Sequence, residues 1–368
     1  MTEGPGTAGA RLRLARQARG FSQQQLAGMA GVSRQAVSAV ESGHTDPSLR
    51  VALALGRALG LTVEELFGPG GPADPVSAIA VAPPDAPGTR VALAAVGDRF
   101  VALPLSGDSA VGTGFAPAGG LVVGSVAGEG IMVEPVGPPR PTLVVAGCDP
   151  ALPLLATPLA LLDPPVAFAW WPCGSGEALR LAAAGLVHAA GVHLRDADGG
   201  YNTGSAAALP GGAEVVGFTA WREGLVLRPS LAAAVGGLDA VVAKGLRIVN
   251  REPGSEARRV LDRELSRLGI DPGELVGYDS RAAGHLQVAS AVAAGIADSG
   301  VASEPAARAY GLGFVSIADE RFDLVLPGPH LGSREVQGLL KVLTSRWLLA
   351  QLAGLPGYDP SACGEHLD

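Results

Sequence analysis

The sequence has little of what marks a secreted, membrane-spanning or catalytic chain. Its 368 residues include three cysteines, Cys148, Cys173 and Cys363, too scattered for a disulfide framework or a zinc ribbon. No apolar run reaches the roughly eighteen residues of a membrane-crossing helix, so no membrane association is expected. The opening MTEGPGTAGARLRLARQARG has no apolar h-region and runs into an arginine-rich helical pattern. No secretory signal is read there, and a cytoplasmic location is expected. Aromatic residues make up 4% of the chain. A G-x-S-x-G elbow, an H-E-x-x-H pair, a Walker loop and a dinucleotide fingerprint are all missing. No catalytic residue, resident metal or covalent cofactor is therefore assigned, and an enzyme of cofactor metabolism is the lesser alternative.

What is present is an uneven charge. The chain carries a net charge of -8. Residues 10–67 nevertheless hold seven arginines against four acids, a net +3. Residues 68–368 hold 20 basic against 30 acidic residues, a net -10. A small basic head on an acidic body suits one DNA-facing domain joined to something that does not touch DNA.

The pattern divides the chain into segments. Residues 10–67 read as short helices forming a compact all-α domain, with Ser22, Ser33 and Thr62 as N-caps and Gly20, Gly31, Gly43 and Gly60 as stops. Residues 68–89 are dense in Pro, Gly and Ala and read as a linker. Residues 90–141 hold short apolar runs cut by Gly and Pro, a small β-rich insert or an arm on the third segment. From 142 to 362 strands alternate with helices, which implies a mostly parallel sheet with ligands at its strand ends. The expected fold class is multidomain: an all-α helix-turn-helix head, a small β-rich insert and a two-lobed α/β body.

The head carries FSQQQLAGMAGVSRQAVSAVESGHTDPSLRVALALGRALGLTVEELF. It has the S-Q-x-x-L-A opening of a second helix, an A-G-V-S turn, an R-x-x-V-S-x-x-E-x-G third helix and a P-S-initiated fourth. This stretch resembles the helix-turn-helix of lambda-repressor-like (Xre-type) regulators. Leu26, Ala27 and Ala30 would pack the second helix, and Val32, Val37 and Val40 one face of the third. The opposite face would offer Arg34, Gln35 and Ser38 to base edges, with Gln24, Ser33, His44 and Arg50 on phosphates. Glu41 is expected to bond within the fold. The resemblance implies a homodimer on a two-part double-stranded operator.

In the body, AGCDPAL, GSGEALRLAAAGLVHAAGVHL, VNREPGSEARRVLDRELSRLGI and SRWLLAQLAGLPGYD resemble two-lobed type II domains of the periplasmic-binding-protein-like superfamily, related to molybdate-binding proteins. Strand ends that feed helices through Gly-Ser turns place N–H groups where negative charge is favoured. Asp149, Ser175, Gly176, His193, Arg251, Gly254, Ser255 and His285 are the candidate ligand residues. Gly176 and Gly254 would allow close backbone approach, and Arg251 would bind an anion or be neutralised by Glu252. His188, His193 and His285 are grouped near the cleft, with at least one expected to touch ligand. Trp170 and Trp171 precede Pro172, one facing the cleft and one the core. Cys148 and Cys173 read as small buried residues, with a soft-metal or redox pair as the alternative.

The expected function is a ligand-responsive one-component transcription regulator. Its effector would be a small anion, molybdate or tungstate foremost, with a small organic ligand or a thiol or metal signal as alternatives.

Overall fold

The structure, a computed structural model, describes residues 8–68, 75–84, 86–107, 115–126, 130–137, 140–196 and 199–367. Of the expected linker, residues 69–74 and 85 lie outside the described residues, as do 108–114, 127–129 and 138–139 of the expected insert. The chain divides into two compact units, one holding the head and the other nearly all of the remaining residues.

The head comprises α1 (Ala8–Ala18), α2 (Gln23–Ala30), α3 (Arg34–Glu41), α4 (Leu49–Leu59) and α5 (Val63–Phe67). Ser22, Ser33 and Thr62 each accept a hydrogen bond from the first turn of the helix they precede. Such caps satisfy N–H groups that have no partner inside the helix. Between α2 and α3 the chain must reverse within three residues. Gly31 does this with φ 65°, a left-handed conformation that costs an L-residue steric strain. Leu12, Leu26, Val37, Leu55, Leu59 and Leu66 meet at the centre of the unit, none more than 1% exposed.

The second unit begins with a closed barrel in the order β1-β3-β2-β4-β5, with β1 (Val76–Ala80), β2 (Arg90–Val96), β3 (Arg99–Pro104), β4 (Gly120–Ser125) and β5 (Gly130–Pro135). Its first strand lies inside the stretch expected to be a linker. VSAIA pairs in parallel with β3, Ala78 opposite Phe100, and buries Ala78. The surrounding Pro and Gly hide that five-residue run. Val96, Val101 and Leu103 of the barrel share a core with Val144 and Ala146 of the next segment. Each such buried Val or Leu side chain contributes about 1.5–3 kcal/mol, which seats the barrel on the body as an integral layer.

The body is one mixed sheet with order β11-β10-β12-β9-β13-β8-β6-β7. In chain order it runs β6 (Thr142–Gly147), α6 (Ala156–Ala160), β7 (Ala167–Pro172), α7 (Ser175–Ala183), β8 (Ala189–Val192), α8 (Thr203–Ala207) and β9 (Ala213–Leu227). Next come α9 (Leu238–Ala243), β10 (Ile248–Arg251), α10 (Glu256–Leu268), β11 (Arg281–Ala282), α11 (His285–Ala293), β12 (Ser299–Ser303) and α12 (Glu304–Ala309). The chain closes with β13 (Gly313–Pro327), α13 (Arg334–Leu343), α14 (Arg346–Ala353) and β14 (His366–Leu367). Strands β6, β7 and β8 are parallel, as are β10, β11 and β12. All six residues of β6 and all five of β12 are buried, as strands covered on both faces require.

The long strands β9 and β13 depart from the expected parallel pattern. They pair antiparallel along their whole length, from Gly313 opposite Leu227 to Pro327 opposite Ala213. One end of this ribbon joins β8 and the other joins β12. Two lobes are thereby strung on one two-stranded ribbon, and a chain that enters the second lobe must return antiparallel. The pairing register shifts between Ser316 and Ala318 and between Phe322 and Asp323. Such bulges bend a strand locally, and here they flank the crossing.

Candidate functional sites

On the head, Gln24, Ser33, Arg34, Gln35, Ser38, His44 and Arg50 are all exposed. Three of them, Arg34, Gln35 and Ser38, project from the face of α3 opposite buried Val37 and Val40. Ser33 caps α3 by accepting from Ala36 N–H at 3.1 Å, and His44 Nδ1 lies 2.7 Å from the Ser42 hydroxyl. Glu41 turns inward, 3% exposed. It accepts from Arg16 at 2.6 and 3.0 Å and from Gln23 at 2.8 Å, tying α1, α2 and α3 together.

In the body, the functional side chains come from strand ends at the base of the two lobes. Asp149 is fully buried, and its Oδ1 accepts from Ala151 N–H and from the Tyr358 hydroxyl, both at 2.7 Å. Burial pushes this carboxyl up to about 6 against those bonds. Ser175 is the first residue of α7, and its Oγ accepts from His193 N–H at 3.2 Å rather than capping the helix. Ser255 does cap α10, and its hydroxyl donates to Glu252 C=O at 2.8 Å. Gly254 has φ +90°, and a Cβ there would meet nothing within 4 Å. Its positive φ favours glycine whatever stands nearby. A Cβ on Gly174 would stand 3.2 Å from Oε1 of Glu252 and 3.6 Å from Ser255. One on Gly176 would stand 3.7 Å from Gly254 C=O. The two turn loops thus face each other across the lobes, already in contact.

Beside them opens a cavity of about 280 Å³ lined by Cys148, Trp170, Cys173, Arg251, Gly284 and His285 among others. Arg251 is 2% exposed. It makes a two-pronged ion pair with Glu252, 2.8 Å on each prong, so the neutralising role of Glu252 is realised. Its Nη1 has no hydrogen-bond partner among the described residues. His285 starts α11, whose N-cap Gly284 provides no side-chain cap. Burial, with Arg251 and His193 nearby, holds its imidazole well below the usual range, hence neutral. Ser303 N–H donates to His285 Nδ1 at 3.2 Å. The ring proton must then sit on Nε2, and that N–H is also buried without a partner among the described residues. Arg251 and His285 thus both line one cavity, and each carries a buried donor unused among the described residues.

Deeper in lies a cluster that sequence reasoning misses. His193, 1% exposed, has Nε2 at 3.3 Å from Cys148 Sγ. Its Nδ1 faces Glu320 at 3.6 Å and Glu223 at 3.9 Å. Burial pushes the Glu223 carboxyl up to about 7 against the pull of His193. Glu223 and Glu320 sit mid-way along β9 and β13 beside other charged residues, Arg222 in one and Asp319 and Arg321 in the other, so no local signal sets them apart.

His188 does not join this group. It precedes β8, at the strand end opposite His193, and packs edge-on against His330 with ring centroids 5.4 Å apart. Its Nδ1 accepts from Val144 N–H at 3.1 Å. Trp170 lines the cavity while Trp171 packs into the core shared with the barrel. Burial, with Cys148 beside it, holds the Cys173 thiol well above its usual range, which works against a thiolate pair.

Comparison with known proteins matches a PBP superfamily domain over residues 156–344 and a helix-turn-helix domain over residues 12–66. The chain belongs to the PBP superfamily. Its PBP domain is preceded by a helix-turn-helix head, in keeping with the two units of the fold. The uncharacterized protein YvgK of Bacillus subtilis is 28% identical over 237 residues, covering 63% of this chain and 75% of YvgK. The uncharacterized HTH-type transcriptional regulator YgzD of the same organism is 42% identical over 48 residues, 13% of this chain and 73% of YgzD. The crystal structure of a tungstate ABC transporter protein from Geobacter sulfurreducens covers 58% of this chain and 97% of its own, at 17% identity and TM-score 0.44. Among the described residues no helix is long and apolar enough to cross a membrane.

Proposed function

We propose that this PBP-superfamily chain is a transcription regulator whose helix-turn-helix head binds double-stranded operator DNA under control of a small anion in the body. Molybdate or tungstate is the first choice of effector and a small organic carboxylate the second. The observation that carries the reading is the pair of buried, unused donors on Arg251 and His285 at one cavity. Buried donors left unmade are costly, about 1–3 kcal/mol each, so an oxygen-rich ligand that completes them is favoured there. The uncapped start of α11 adds backbone N–H groups at the same wall. Glu223 and Glu320 are not among the residues lining the cavity. A thiol signal is disfavoured because Cys173 is held as a neutral thiol.

Ligand bound across the two lobes would favour their closed arrangement, and effector and operator would then alter one another's affinity by the same factor. A homodimer on a two-part operator and a cytoplasmic location belong to the same proposal.

The test is thermal unfolding of the full chain with molybdate, tungstate, sulfate, phosphate and small carboxylates. A ligand at 100 times its dissociation constant stabilises the native state by about 2.7 kcal/mol. Stabilisation by molybdate or tungstate that disappears in Arg251→Met and His285→Ala supports the reading, and operator-binding assays are then run with and without the ion. Stabilisation by carboxylates alone replaces the effector. Indifference to every anion in the panel removes the anion sensor.

A further inference from the structure

Behind the donor-lined cavity, four buried atoms face one another with nothing to bond among the described residues. They are His193 Nδ1, both carboxylate oxygens of Glu223 and Oε2 of Glu320. All three residues are at most 3% exposed. One ligand atom from each falls within 4.8 Å of the others. His193 Nδ1 stands 3.6 Å from Glu320 and 3.9 Å from Glu223, too far for hydrogen bonds. His285 offers Glu223 nothing better. Its Nδ1, 3.6 Å away, is already accepting from Ser303. Against its burial, Cys148, Glu320 and Glu223 hold the His193 imidazole well above its ordinary value, so one protonated ring faces two carboxylates without a hydrogen bond to either.

We propose that His193, Glu223 and Glu320 form a binding site for a first-row divalent metal ion. Bonds of about 2.0–2.2 Å to nitrogen and oxygen place neighbouring ligand atoms about 3–3.6 Å apart around such an ion. The two separations from His193, 3.6 and 3.9 Å, lie at that range or just beyond it, and all three ligand atoms lie within 4.8 Å of one another. Two carboxylate oxygens with one imidazole suit manganese, iron or zinc. With the ion on Nδ1, the ring proton lies on Nε2 and donates to Cys148 Sγ at 3.3 Å. Metal-bound histidines are held in this way, by a partner on the other ring nitrogen. Ser175 adds a second restraint by accepting from the His193 backbone N–H.

The placement gives the ion a structural consequence. Glu223 lies on β9 and Glu320 on β13, the two strands that pass between the lobes, while His193 comes directly after β8 of the first lobe. A metal there ties both crossing strands to one lobe at the point where the sheet must bend. Such an ion would set how readily the lobes close, whatever occupies the outer cavity.

The experiment strips the full-length protein with a chelator, reloads it separately with Zn²⁺, Mn²⁺ and anaerobic Fe²⁺, and counts bound metal after desalting. Mg²⁺ is the control. The expected result is one first-row ion per chain, a raised melting temperature, and loss of both in Glu223→Gln/Glu320→Gln. Melting of the metal-free parent and the metal-free double variant is compared directly, which separates lost binding from lost folding. Cys148→Ser should retain the ion. No metal retained by the parent, or equal retention by the double variant, overturns the site. Arg251→Met is measured on the same footing. Metal uptake with no anion response would sink the anion reading and leave this one, and an anion response without metal would do the reverse.

Discussion

Replacing Glu41 by Ala should unfold the head more effectively than any exposed change on its DNA-facing surface. Glu41 is 3% exposed, and Arg16, which pairs with it, keeps 11% of its side chain in solvent. The carboxylate takes bonds at 2.6, 2.8 and 3.0 Å from Arg16 and Gln23. Arg16 spends a further N–H on Phe21 C=O at 2.7 Å, so its guanidinium stays anchored after the carboxylate is gone. Removing one partner of a buried pair costs about 3–5 kcal/mol, mainly because the other charge is left uncompensated. A domain of this length has a total stability of about 3–9 kcal/mol on the usual per-residue scale. The head of Glu41→Ala should therefore lose at least about a third of its stability while the body stays folded. Hydrogen exchange on peptides of α2 and α3 in the full chain reads this directly, with body peptides as internal control. A second variant, Arg16→Met with Glu41→Leu, removes both charges and should recover most of the protection. If Glu41→Ala changes protection by less than about 1 kcal/mol, the pair is worth no more than a surface ion pair and the argument fails.

Arg34→Ala should weaken binding to a selected operator by about 1–3 kcal/mol without moving the head's unfolding, since Arg34 is exposed; unchanged anisotropy titrations would take α3 out of the groove. For His188, burial and His330 hold the imidazole down to about 4, below the ordinary value near 6.5. The unfolded chain then binds a proton that the native state refuses as pH falls, so stability present above about pH 6.5 declines toward pH 4, by about 2 kcal/mol between pH 7 and 5. Urea midpoints of the parent and His188→Gln at those two pH values isolate the effect, because other groups cancel in the difference; equal losses in both proteins would exclude it. Gly191→Ala would drive a methyl group into the Phe322 ring beside Trp221. Overpacking of that kind costs about 1–3 kcal/mol, and an unchanged melting temperature would show the hinge core to be looser than its packing implies.

The head is legible in the sequence because its signals are local. Ser before a helix and Gly after it lie within a few residues of what they control, and Val37 and Val40 mark the buried face directly. Strand and helix alternation is equally local in the body. The ribbon is harder. AEVVGFTAWREGLVL looks like two pieces broken at Arg222, yet it is one strand in which Arg222 is exposed and Glu223 is buried on the opposite face. Alternation of faces, rather than a turn, explains the charge there. Asp149, Ser175, His193, Arg251, Ser255 and His285 stand out in the sequence, and all are buried at the base of the lobes. Glu223 and Glu320 do not, because their meaning depends on a pairing between segments about a hundred residues apart, which no short window contains. The β1 strand is hidden for a related reason: its partner β3 lies beyond the proline-rich turn.

The antiparallel ribbon has one more consequence. Leu227 and Gly313 face each other across it, so the second lobe, residues 228–312, leaves and re-enters the first at neighbouring points. It is a single uninterrupted insertion with its ends side by side. A tight hairpin could replace it, or a homologous lobe could be transplanted at that junction, without rerouting the chain elsewhere. Most of the cavity wall, including Arg251 and His285, would travel with the graft while Cys148 and Trp170 stayed behind. The fold thus allows one cassette of the body to be exchanged while the helix-turn-helix domain is left unaltered.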